Sequence, residues 1–171
     1  DEYKKAAEIL PRMTFLYIKI GQNYRQLNLF DKALEYFDLA ATINGELGIE
    51  DPLPFVAIAK TYSRDGEFFV AAINMEKALR FDPTNALIYG ELGLIRFKAR
   101  NYEGSIDLLG CAVNGCETVL DPFEGPVLAS TLDEDELAGQ TVYQVESIGL
   151  KNSTVVFYYT YGSVLAALDY C

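Results

Sequence analysis

The chain of 171 residues has no histidine and no tryptophan, and it is short of cationic side chains. Without histidine it lacks the commonest general base and a favoured metal ligand. Nucleophilic catalysis would fall to Cys or Ser activated by Lys or a carboxylate, and no G-x-S-x-G turn is present to present such a group. Lys and Arg number 14 against 25 Asp and Glu, a net charge of −11. Nucleic acid and anionic lipid both need basic surface to displace counterions, so neither is expected as a partner. No apolar run reaches the length of a membrane-spanning helix. There is no secretory signal pattern, but the first residue is Asp1, which allows a removed leader or an upstream domain. The compartment is left between a cytoplasmic default and an extracytoplasmic alternative.

Metal and cofactor signals are equally thin. Cys111 and Cys116 flank four residues, a ligand-compatible spacing, yet two thiols with no further Cys or His nearby cannot close a four-coordinate zinc site. They are expected as buried thiols on a packing face. The run Asp133-Glu134-Asp135-Glu136 lacks the spaced acids and glycine of an EF-hand loop and reads as a solvated loop. Gly90 and Gly93 follow no strand and so form no dinucleotide fingerprint. The expectation is a chain that is not an enzyme and carries no metal and no cofactor.

What the sequence has is a repeated pattern. Phe55, Ile58 and Tyr62 form one stripe of a 3.6-period helix, and after Asp65-Gly66 a second stripe runs through Phe68, Ala71, Met75, Ala78 and Leu79 to Asp82-Pro83. Gly66 suits a left-handed stop and Pro83 cannot continue a helix. Shifted downstream by 34 residues, the template meets Tyr89, Leu92, Gly93, Ser105, Leu109 and Ala112; shifted upstream by 38 it meets Tyr17, Ile20, Gly21, Ala33, Phe37 and Ala40. The three positions per copy where paired helices must cross are Gly21, Ala33, Ala40, then Ala59, Ala71, Ala78, then Gly93, Ser105, Ala112. All nine are small. A helical pair of this kind leaves one face apolar and needs copies of itself alongside.

In these motifs the chain resembles the tetratricopeptide repeat (TPR) family, whose pattern is W-x2-L-G-x2-Y, then A-x3-F, then P. The middle copy reads Phe55-x2-Ile58-Ala59-x2-Tyr62, Ala71-x3-Met75 and Pro83; the first reads Tyr17-x2-Ile20-Gly21-x2-Tyr24 and Ala33-x3-Phe37. The third departs at Arg96, where an aromatic is usual, and lacks the closing Pro. The resemblance implies an all-α superhelix of about three and a half helix-turn-helix repeats with an irregular insertion before the last helix. The segments expected are a capping or partial-repeat helix at 1–13, repeats at 14–47, 52–85 and 86–121, an insertion at 122–154, and the first helix of a truncated fourth repeat at 155–171. Asn28 is expected as a left-handed cap, Asp31 as an N-cap, and Asp65 as a cap beside its turn. Val142, Tyr143, Val145 and Ile148 have some strand character, which allows a short hairpin in the insertion. The chain stops where a partner helix is due, as a fragment of a longer protein would. Its apolar last helix is expected to self-associate or fray, and Cys171 is expected near Cys111 or Cys116.

The resemblance also implies a function, that of a non-catalytic scaffold for protein–protein interaction. In the family the first helix of each pair lines a concave face. Here those helices carry Lys19, Arg25, Lys60, Arg64, Arg96, Lys98 and Arg100 against Asp65 and Glu91, in a chain otherwise strongly acidic. A groove of positive potential would favour an acidic peptide or protein segment. The residues expected to line it are Lys19, Gln22, Arg25, Val56, Lys60, Arg64, Leu87, Glu91, Leu94 and Lys98, with Ile18 as a further apolar wall. Chaperone-binding members of the family clamp a terminal aspartate with Lys and Asn; the matching positions here are Ile18, Gln22, Ala57, Leu87 and Glu91, so that clamp is absent. The alternatives are a regulatory or assembly segment of a larger multidomain enzyme, or a self-association module joining copies through the last helix.

Overall fold

A computed structural model of the chain describes residues 2–122 and 125–168. The chain folds into two compact units, residues 1–81 and 82–171. The expectations for Cys171 fall outside the described residues.

The first unit is helical throughout: α1 (Glu2–Ile9), α2 (Thr14–Gln26), α3 (Phe30–Leu47), α4 (Leu53–Asp65) and α5 (Phe68–Phe81). Helices α2 and α3 form one antiparallel hairpin and α4 and α5 a second, with α3 packed on α4 and α1 packed on α2. Gly66 turns the second hairpin in a left-handed conformation (φ 93°), and Asn28 takes the same region at the first (φ 57°). The two aspartates differ from expectation. Helix α3 begins two residues earlier than an Asp31 cap implies, so Leu29 is its N-cap and Asp31 sits in the first turn, where its charge faces the positive helix end. Asp65 is the last residue of α4 and Gly66 is the cap.

The core of this unit follows from the small crossing residues. Ala33, Ala40, Ala59, Ala71 and Ala78 are fully buried, and Ile18, Phe37, Ala57 and Ile58 pack around the α2–α3–α4 seam. At Gly21 the approach is so close that an added Cβ would stand 2.5 Å from the Phe37 ring. A side chain there must displace a fully buried aromatic.

The second unit starts with a third hairpin, α6 (Ala86–Lys98) and α7 (Tyr102–Asn114), capped by the side chains of Asn85 and Asn101. Gly93, Ser105 and Ala112 are buried at its crossing, where the Ser105 hydroxyl donates to the Gly93 carbonyl at 2.9 Å. Beyond Asn114 the chain enters a three-stranded antiparallel sheet of order β2-β1-β3, with β1 (Cys116–Asp121), β2 (Gly125–Leu128) and β3 (Tyr143–Val145). Residues 116–121 are thus strand, and the short hairpin sits at β1–β2, earlier than Val142 and Tyr143 suggest. Thr118 faces both Leu128 and Tyr143 in register. A 3-10 turn (Ala129–Thr131) and the one-turn helix α8 (Glu134–Leu137) lie between β2 and β3. The acidic run builds α8 with a capping box, in which Asp133 and Glu136 each bond the other's backbone N–H.

The sheet is tied down rather than loose. Cys111 and Cys116 form a disulfide, Cα to Cα 4.9 Å, which fastens the start of β1 to the last turn of α7. Their expected state as thiols is corrected by this bond: Gly115, at φ 82°, reverses the chain and brings the two sulfurs together. The buried Tyr89 hydroxyl lies 2.7 Å from Thr118 Oγ1 and donates to the Pro83 carbonyl at 3.0 Å. Ile148 N–H donates to the Ala112 carbonyl at 2.9 Å. Finally α9 (Val155–Ala167) packs on α7 and α6, with Phe157 and Val164 buried against Leu109 and Val113.

Two outcomes follow. Gly21→Val is expected to destabilise the chain by about 3 kcal/mol through overpacking against Phe37, read as a lowered midpoint in urea. Tyr89→Phe is expected to cost about 1 kcal/mol, because it strands the Thr118 hydroxyl. Burial, foremost, holds the Tyr89 phenol above its ordinary value of 10.0. The folded pKa is therefore the higher one. Stability from this group is complete below the unfolded pKa and is lost as pH rises through the folded one. Urea midpoints across that alkaline window should fall less steeply for Tyr89→Phe than for the parent.

Candidate functional site

The residues expected to bind a partner lie on α2 and α4 in the first unit and on α6 in the second. Helices α2 and α4 hold four cations, Lys19, Arg25, Lys60 and Arg64, and a single acid, Asp65. The two helices pack side by side in the first unit because small residues bring each close to its own partner.

The four cations are not equivalent. Arg25 donates from Nη1 to the Ala57 carbonyl at 3.2 Å, and its guanidinium lies 5.7 Å from the centre of the Phe37 ring. Arg64 donates from Nη2 to Asn28 Oδ1 at 3.0 Å and stacks 5.9 Å from the Phe30 ring. Both therefore join the first hairpin to the second, with charge held against aromatic faces. The Lys19 ammonium lies 5.1 Å from the Phe15 ring. Lys19 and Lys60 are half-buried, as are Gln22 and Val56. Burial of the stem with the charged end reaching water is the ordinary posture of such a lysine.

The apolar walls also divide. Ile18 is 5% exposed and packs in the core with Ala33, Phe37 and Ile58, so it offers no wall to a ligand. Its position on α2 points into the α2–α3–α4 seam. On α6, Leu87 is 45% exposed and available, whereas Leu94 packs against the Leu109, Val113, Phe157 cluster. Glu91 is half-buried and Lys98 exposed.

Sequence reasoning missed the features that organise the second unit, the Tyr89–Thr118 hydrogen bond and the disulfide. The signal for the second was present: Cys111 and Cys116 straddle Asn114-Gly115, a helix stop that folds the chain back on itself.

No protein-family model matches the sequence, and no curated protein is similar to it. Solved structures do share its fold. YrrB, described as a TPR protein with an unusual peptide-binding site, superposes with a TM-score of 0.56 at 20% identity, covering 64% of this chain and 54% of YrrB. MamA gives 0.53 at 18% identity, covering 63% of this chain and 60% of MamA. The Sgt2 TPR domain from Aspergillus fumigatus gives 0.50 at 24%, covering 56% of this chain and 61% of that domain. The chain thus spans somewhat over half the length of YrrB and MamA. Three helical hairpins closed by nine small buried crossing residues, superposing on these structures, give the chain the fold of the tetratricopeptide repeat proteins.

Proposed function

We propose that the chain is a non-catalytic scaffold that binds an acidic peptide or protein segment on the first helices of its hairpins. The observation that carries this reading is the charge of α2 and α4, four cations and one acid in a chain of net charge −11. Arg25 and Arg64 join the two hairpins, and Lys19 and Lys60, half-buried on the same two helices with Gln22 and Val56, are the residues we assign to the ligand. In the second unit, the first helix of the third hairpin, α6, carries Leu87, Glu91 and Lys98. Peptide binding by YrrB gives the fold a precedent for this role. The absence of histidine supports a non-catalytic part, including within a larger multidomain enzyme.

The charge-reversed variant Lys19→Glu/Lys60→Glu is expected to lose at least about tenfold in affinity for a fluorescein-labelled poly-glutamate peptide, measured by anisotropy at low salt. Its helical circular dichroism should match the parent. The parent's affinity should fall as salt rises, because the screening length drops from about 10 Å at 0.1 M to about 3 Å at 1 M. Equal binding by parent and variant would assign recognition to another surface.

A second reading, self-association, rests on α9, where Val155, Val156 and Tyr159 are 52%, 43% and 77% exposed. Sedimentation equilibrium of the parent should then show a mass that rises with concentration, and Tyr159→Lys/Val156→Lys should restore the monomer. A constant monomer mass for the parent would remove this reading.

A further inference from the structure

We propose that a cavity in the second unit, apolar inside and bearing two unpaired carboxylates, is a docking groove for a lysine- or arginine-bearing segment of another protein. The cavity has a volume of about 680 Å³ and lies among α7, the β1–β2 hairpin, α8 and α9. That size is within the range of small-ligand sites. Its apolar lining comes from Ile106, Leu128, Leu137, Val142 and the Tyr161 ring. Its acidic lining is Asp107 on α7 and Glu117 on β1.

The cavity is built by features already described. Asp107 stands one turn before Cys111, and Glu117 directly follows Cys116, so the disulfide holds the two carboxylate-bearing segments against the same space. Gly110 lets Tyr161 close one side, since a Cβ there would stand 3.3 Å from the ring. Asn114 donates to the Tyr161 hydroxyl at 3.5 Å.

Charge selects the occupant. No Lys or Arg lines the cavity, and among the described residues neither the Asp107 nor the Glu117 carboxylate takes part in a hydrogen bond or ion pair. Residues 101–150 contain ten acidic side chains and not one Lys or Arg. A cation arriving here meets carboxylates with no internal competitor. A hard metal ion needs six or more oxygen ligands and gains nothing from an apolar interior. A lysine or arginine side chain uses both parts of the lining, with its aliphatic stem on the apolar residues and its charge between the acids. The Tyr161 ring adds a face suited to a cation. An apolar residue next to the cation in the partner would fill the remaining space.

The test uses the full chain and a short acetylated, amidated peptide of alternating Lys and Leu, with the Glu-Leu peptide as its counterpart. Amide shifts in 15N spectra should move at Gly110, Asn114, Glu117 and Ser130, all lining the cavity, with the first peptide and stay still with the second. The variant Asp107→Asn/Glu117→Gln, changed only at exposed positions, should bind the Lys-Leu peptide about tenfold more weakly, the worth of two exposed ion pairs. Glu134→Gln/Asp135→Asn removes the same charge from α8 outside the lining and should change affinity less than about twofold. Equal weakening by the two variants would reduce the attraction to overall charge and overturn the groove. So would shifts confined to other residues, equal binding of the Glu-Leu peptide, or no binding of the Lys-Leu peptide.

Discussion

The structure depends on how closely two helix backbones can approach. A helical hairpin whose crossing residues carry large side chains holds its axes apart and leaves gaps, whereas Gly, Ala or Ser at the crossing lets the flanking large residues interdigitate to interior density. Here Gly21 meets the Phe37 ring, and Gly93 lies so near Leu109 that an added Cβ would stand 2.8 Å from it. With the crossings closed, Phe37, Met75 and Leu109 become fully buried. Each hairpin then presents an apolar flank that α3 and α4 satisfy in one unit and α7 and α9 in the other.

The same constraint explains the additions to the second unit. After Asn114 no second helix is available to follow α7 directly, and the chain instead makes a small sheet before α9 arrives. A three-stranded sheet of such short strands has little stability alone. It is held by bonds to the hairpin: a covalent one from Cys111, a buried hydroxyl pair at Tyr89 and Thr118, and a backbone hydrogen bond to Ala112. Buried hydroxyls that find each other avoid the cost of lost hydration, which makes the pair a specifying contact. With β1 fixed to α7, β3 has an edge on which to pair.

Charge is distributed along the chain in the opposite sense to packing. The first unit places four cations on α2 and α4: Arg25 on the Ala57 carbonyl and the Phe37 ring, Arg64 on the Asn28 side chain and the Phe30 ring, Lys19 over the Phe15 ring, and Lys60 with a half-buried stem. In the second unit every charged residue from Asn101 to Leu150 is acidic.

Helical hairpins were legible because their signal is local. A stripe of apolar residues, a small residue at the crossing and a stop such as Asn28 or Gly66 lie within one repeat and recur in the next. The first residue of α9, Val155, is where the periodicity put it. What the tertiary structure decided are contacts between residues distant in sequence, where pattern carries no information about pairing. Thr118 opposite Tyr143, Arg25 on the Ala57 carbonyl and Ile18 turned inward are of this kind. The sequence by itself determined that three hairpins form and which small residues close them. Only the folded chain decided which cations are consumed in joining hairpins, because a long side chain's partner is set by what packing brings within its reach.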